Sequence, residues 1–273
     1  MRFKVLILPC NLLTIICQME GRSLVCTLHV HERPELNNPV LIEGLPGIGF
    51  VANIAALHLI RELKAKLFAE LHSSAFQDFA ITTEQGKTNS PTNEFYYYKG
   101  QNRERDLIIL YGNTQALTTM GQYELCGRVL DVAEEFGCKY LITLGGLRRE
   151  EKITNPKLYC AASGKEALKD ARNMGAEVLG GQIFGVAGLL VALGKLRAFK
   201  GFCLLAETTG FYPDAVAAHL TLKPICEMLG LNVNLSQLDV AAEATRKILE
   251  SFGLLETPSE DRRKEESRFR GLV

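Results

Sequence analysis

Residues 43–60 read Glu-Gly-Leu-Pro-Gly-Ile-Gly-Phe-Val-Ala-Asn-Ile-Ala-Ala-Leu-His-Leu-Ile. The apolar run Val40-Leu41-Ile42 leads into them, so the order is strand, glycine-rich turn, helix. Such a turn can cradle phosphate when its backbone amides face the ligand and a helix N-terminus stands behind it. Here Gly44, Gly47 and Gly49 form G-x-x-G-x-G. That is neither the dinucleotide fingerprint nor a P-loop, and no Lys-Ser/Thr pair follows. The stronger reading is steric: glycine permits unusual dihedrals and close packing, and Pro46 stiffens the turn.

From Ile48 to Ile60 only Asn53 and His58 are clearly polar. A helix apolar all round must be covered all round, either by the core of its own chain or by another subunit. Together with the apolar stretch at 185–193, this leads to an expected homo-oligomer.

Composition narrows the classes. At 273 residues and 47% hydrophobic, the chain is ample for a sizeable core. Lys+Arg and Asp+Glu balance at 31 each, which argues against broad affinity for nucleic acid or an anionic membrane. The eight cysteines are scattered with no C-x-x-C pair, so they read as small buried hydrophobes of a reducing, cytoplasmic compartment. His29 and His31 share a strand face but lack a third ligand, and read as solvent-facing side chains. No metal and no cofactor is expected.

Residues 1–18 imitate the charged and apolar regions of a signal peptide without its small-residue cleavage site. They read as an upstream extension, with Met19 a plausible true start. Residues 19–255 form a single α/β domain. Short β-like runs fall at 67–71, 79–82 and 94–99. Buried strands fall at 106–111, 140–144 and 201–206, and helices at about 123–136, 185–196, 213–229 and 237–252. Buried strands alternating with helices mean a layered sheet with helices on both faces, mixed because of the β-rich stretch from 67 to 99. Residues 256–273 form a charged tail with too few apolar side chains to fold alone, ending in Gly271-Leu272-Val273.

No G-x-S-x-G or other recognisable hydrolase arrangement is present. Glu43 and Glu207 each follow an apolar strand, at the rim where open α/β sheets bind ligands. Asn113 and Gln115 join the same rim, and with Gly47 and Gly49 they make a candidate ligand pocket. Capping and turn bonding explain these polar residues equally well.

An ordered set of short motifs carries a resemblance: Glu43 to Gly49, Gly112-Asn113-Thr114-Gln115, Thr143-Leu144-Gly145-Gly146, Gly185-Val186-Ala187-Gly188-Leu189-Leu190, and Ala206-Glu207-Thr208-Thr209-Gly210-Phe211-Tyr212-Pro213-Asp214. Over residues 20–252 the chain is similar to the archaeal-type proteasome assembly chaperone family. The resemblance implies a three-layer α/β/α sandwich with a mixed, largely parallel sheet, similar to purine nucleoside phosphorylases. It also implies a homo-oligomer that helps proteasome α subunits assemble without catalysis, a paralogous chaperone being a further partner. That family's proteasome contact is often a C-terminal hydrophobic-Tyr-any tripeptide. Gly271, Leu272 and Val273 stand there in this chain and match neither the leading hydrophobe nor the Tyr. Asn113 stands where the family commonly has Asp. The alternative is a nucleoside-processing or other small-molecule-binding enzyme of similar fold, since fold alone does not choose function.

Overall fold

The computed structural model describes residues 26–238 except 151, 152 and 154, together with residues 240, 244 and 247. The expected extension at 1–18, the tail at 256–273 and nearly all of the expected helix at 237–252 lie outside the described residues.

Eleven strands are described: β1 (Cys26–Val30), β2 (Val40–Gly44), β3 (Lys66–Ser73), β4 (Ile81–Thr82), β5 (Thr88–Asn89), β6 (Asn93–Tyr98), β7 (Leu107–Gly112), β8 (Tyr140–Arg148), β9 (Leu158–Ala162), β10 (Glu177–Val178) and β11 (Lys200–Thr208). Five helices accompany them: α1 (Val51–Glu62), α2 (Thr119–Glu135), α3 (Lys165–Asn173), α4 (Val186–Leu196) and α5 (Ala215–Leu229). Nine strands make one sheet in the order β1-β3-β6-β7-β2-β8-β11-β9-β10, and β4 and β5 form a separate short ribbon. The central strands β7, β2, β8 and β11 run parallel. Residues 66–98 add antiparallel strands on one side, as the sequence indicates, and β9 is antiparallel to β11 on the other.

The sheet is a middle layer. On one face α1, α3 and α5 pack over Val40, Ile42, Leu107, Ile109, Ile142, Phe202 and Leu204. On the other, α2 and α4 pack over Leu41, Ile108, Leu110 and Leu141. The central strands are covered on both faces, which is why they read as unbroken apolar runs. By contrast β6 alternates, burying Phe95 and Tyr97 while Glu94, Tyr96 and Tyr98 are half-buried.

Every residue of α1 from Val51 to Ile60 is buried, the helix being enclosed by α5 and by strands β2, β7 and β8. Its apolar circumference is therefore covered inside the chain, and of the two covers the sequence allows, this is the one the fold uses. Helices α2 and α5 follow their capping chemistry. Thr118 Oγ1 accepts from the Gly121 amide at 3.1 Å to open α2, and Asp214 Oδ1 accepts from the Ala217 amide at 2.9 Å to open α5. Gly137 (φ 74°) and Gly230 (φ 70°) close them in left-handed conformations.

Candidate functional site

The glycine-rich turn crosses from β2 to α1 over the carboxyl ends of β8 and β11. Gly49 has φ 63°, and a Cβ there would lie 2.8 Å from Thr208 Oγ1. Its carbonyl accepts from the Asp214 amide at 2.9 Å, and Thr208 Oγ1 donates to Asp214 Oδ2 at 2.7 Å. From the other side Gly146 admits the Ile48 carbonyl so closely that a Cβ would come within 2.3 Å of it. Gly44 is pressed on Ala56 of α1 in the same way. These glycines let backbones approach, so the turn is welded to two strand ends and to the start of α5. Gly47 is different: its backbone is extended and open space surrounds it.

The four polar rim residues are spread along the sheet rather than converged. Glu43 is level with Thr143 of β8, which is level with Cys203 of β11. Glu207 lies four residues beyond Cys203, so strand spacing and rise put the Cα atoms of Glu43 and Glu207 roughly 16 Å apart.

Alternation along β2 places Glu43 on the same side as Leu41, beneath α2 and α4. It is 1% exposed, and Oε1 accepts from the Leu45 amide at 2.8 Å. The other oxygen is buried without a hydrogen-bond partner. Burial pushes its pKa up to about 8 against the pull of the Leu45 amide. The folded protein therefore holds this carboxyl largely protonated and uncharged at neutral pH. Burial, with a smaller push from Glu43, raises the Cys126 and Cys203 thiols to about 12. Neither is a thiolate nucleophile at neutral pH.

Glu207 is engaged differently. Its carboxylate accepts from Arg149 Nε at 2.8 Å, the Lys157 amide at 3.1 Å and the Tyr159 hydroxyl at 3.2 Å. Burial pushes its pKa up, but these donors outweigh it and hold the group below its ordinary value. Asn113 Oδ1 accepts from the Thr92 amide at 3.1 Å and ties β7 to the β6 approach. Gln115 donates to the Pro46 carbonyl and accepts from the Val186 amide at 3.2 Å, linking the turn to the first residue of α4. Two surface cavities lie elsewhere. One of about 500 Å³ is at the amino ends of the parallel strands by Arg105, Lys139 and Lys200, and another flanks Val216, His219 and Leu238. None of the six rim residues lines either.

Asn53 matters more than its place in an apolar helix indicates. Its side-chain amide donates to the Gly112 carbonyl at 2.8 Å and the Gly44 carbonyl at 3.3 Å, satisfying the ends of two parallel strands from within α1. A lone amide inside an otherwise apolar helix is the signal that could have found it. Around the turn the rim also presents apolar side chains to solvent. Phe184 is 86% exposed and Phe211 63%, with Ile48 and Tyr212 also exposed, and the Arg148 guanidinium sits 4.8 Å from the centre of the Phe211 ring.

The model of the PAC2 family matches residues 41–252. The chain belongs to the PAC2 family. This PAC2 chain is 32% identical over 232 residues to an uncharacterised protein of Methanocaldococcus jannaschii, covering 84% of this chain and 88% of that one. Among solved structures it is similar to PbaB of Pyrococcus furiosus, an archaeal proteasome activator: 39% identity, TM-score 0.75, covering 84% of this chain and 98% of that one. It is also similar to P. furiosus PbaA, an archaeal homologue of proteasome-assembly chaperone: 27% identity, TM-score 0.69, covering 84% and 97%. No described helix of the PAC2 chain is long and apolar enough to cross a membrane.

Proposed function

We propose that this chain is a non-catalytic chaperone that assists the assembly of proteasome α subunits. The observation that carries the reading is its similarity to PbaA, a homologue of proteasome-assembly chaperone, at 27% identity across 97% of that chain. The site supports it from the other direction. Neither carboxylate an enzyme would use is free: Glu43 is sealed in the core and protonated, and Glu207 is held by three donors. The rim instead offers aromatic surface suited to a protein partner.

On this reading the chain works in the cytoplasm as a homo-oligomer. Leu272 and Val273 dock weakly on the α ring, several tails acting together. Because PbaB is an activator, stimulation of the assembled proteasome is a second reading. Affinity capture from native lysate tests both: α subunits should co-purify. Free α subunits and half-assembled rings in the capture favour assembly, whereas mature proteasome with raised peptide hydrolysis favours activation. Capture without α subunits overturns the proposal. Light scattering that finds only monomer at micromolar concentration overturns the oligomer.

A further inference from the structure

From Val178 to Gly194 the chain carries no charged residue, and helix α4 within it has two apolar stripes. Val186, Leu190 and Gly194 face the sheet and are buried. Leu189, Ala192, Leu193 and Leu196 recur at i, i+3, i+4 and i+7 and form a second stripe along the helix. Leu189 and Leu193 are half-buried at the edge of the core, Ala192 is exposed, and Leu196 is 81% exposed. Helix α1, equally apolar, is enclosed by its own chain. Helix α4 is packed by α2, β8 and β11, and the exposure of Ala192 and Leu196 shows that no described element lies over its outer stripe.

The bare surface continues onto α2. Gln115 holds the two helix starts together, its side-chain oxygen accepting from the Val186 amide at 3.2 Å and from Gln122 Nε2 at 3.3 Å. At the far end Asp131 and Glu134 of α2 reach Arg197, just past α4, and helical spacing puts Met120 and Tyr123 on that same side of α2. Met120, Tyr123 and the neighbouring Leu117 are each more than half exposed, as is Phe184 just before α4. At roughly 200 Å² for a large apolar side chain, these four and Leu196 leave about 650 Å² bare. The largest patch on a typical monomer is about 300–600 Å². With Leu189, Ala192 and Leu193 added, the area approaches the roughly 800 Å² that each partner gives to a standard stable interface.

Three observations choose the occupant. Leu238, near the end of the described chain, lies in the core cluster on the α1, α3 and α5 side, so the C-terminal continuation starts from the opposite face of the sheet. The charges bordering the stripe come in both signs, Lys195 exposed and Arg197 paired with Asp131 at 2.6 Å and Glu134 at 3.6 Å, so an identical copy meets no field of one sign. The surface between them is free of charge, the composition of a permanent interface between like copies rather than of one that must release a client. We propose that two copies of this chain pair through α4 and the adjoining start of α2, the outer stripe of one α4 lying against that of the other. The inference rests on the homo-oligomer of the proposed function and gives it a place in the fold. It leaves Ile48, Phe211 and Tyr212 at the turn free for α subunits.

The test is light scattering coupled to gel filtration on purified full-length protein at micromolar concentration. Leu196→Glu and Ala192→Glu each bring a charge into the stripe at a position exposed in the single chain, so the fold should hold, as far-ultraviolet circular dichroism reads. Each should lower the mass of the oligomer at least about twofold, by raising its dissociation constant roughly a hundredfold. Phe211→Glu, at the turn, should leave the mass unchanged. A monomeric wild-type chain overturns the homo-oligomer and this surface together. An oligomer whose mass is unchanged in both stripe variants overturns the surface alone. Loss of α-subunit binding at unchanged mass assigns the stripe to that partner, and overturns the pairing as well.

Discussion

Glu43→Gln is expected to flatten the dependence of stability on pH. In the unfolded chain Glu43 titrates near the ordinary 4.5, and in the folded protein burial raises it to about 8. Below the lower value both states hold the proton and the group imposes no cost. Between the two values the folded state binds one proton that the unfolded state has released, so stability falls by about 1.4 kcal/mol per pH unit. Above the folded value the loss levels off at roughly 5 kcal/mol. The side chain is 1% exposed, so solvent screening does little to reduce this. Gln retains an oxygen for the Leu45 amide but does not titrate. The variant should unfold at higher denaturant than the wild type at pH 8, the gap closing towards pH 5. Guanidinium unfolding at half-unit steps from pH 5 to 9 reads this directly. Parallel wild-type and variant curves across that range would refute the buried proton.

Gly49→Ala should cost about 1–3 kcal/mol, because φ is positive and Thr208 blocks the methyl. Gly47→Ala, in extended backbone and open space, should stay within about 0.5 kcal/mol; thermal melts of the pair separate packing from phosphate binding, which would make Gly47 the sensitive position. Asn53→Ala strands the Gly44 and Gly112 carbonyls and should cost about 2–3 kcal/mol by denaturant unfolding. Deleting residues 271–273 should weaken α-subunit binding in surface plasmon resonance, since burial of Leu272 and Val273 contributes roughly 2–4 kcal/mol before ordering costs. Leu272→Tyr should strengthen it, and unchanged binding in both would assign the contact to the globular body.

Where the sheet is covered on both faces, the sequence was legible. Leu107-Ile108-Ile109-Leu110 and Phe202-Cys203-Leu204 are continuous apolar runs because helices lie above and below them. The segment at 158–178 was not. Strand β9 is five residues long, and α3 reads Lys-Glu-Ala-Leu-Lys-Asp-Ala-Arg-Asn, burying only Ala167 and Ala171. A stripe of two alanines is too narrow to show periodicity. The expected strand at 79–82 survives only as Ile81–Thr82. At the rim, residue type marked Glu43, Asn113, Gln115 and Glu207, but not the direction their oxygens face. That direction follows from strand register and from donors as distant in sequence as Arg149 and Val186. His29 and His31 are neighbours in the sequence, and the β1–β3 pairing is what brings His72 to their face.

The central claim is contact with proteasome α subunits. Native electrophoresis of purified α subunits with and without the full-length chain tests it most directly. A new band containing both components, and faster or more complete α-ring formation, is the predicted result. Unshifted α subunits at tens of micromolar, with ring formation unchanged, would contradict the account.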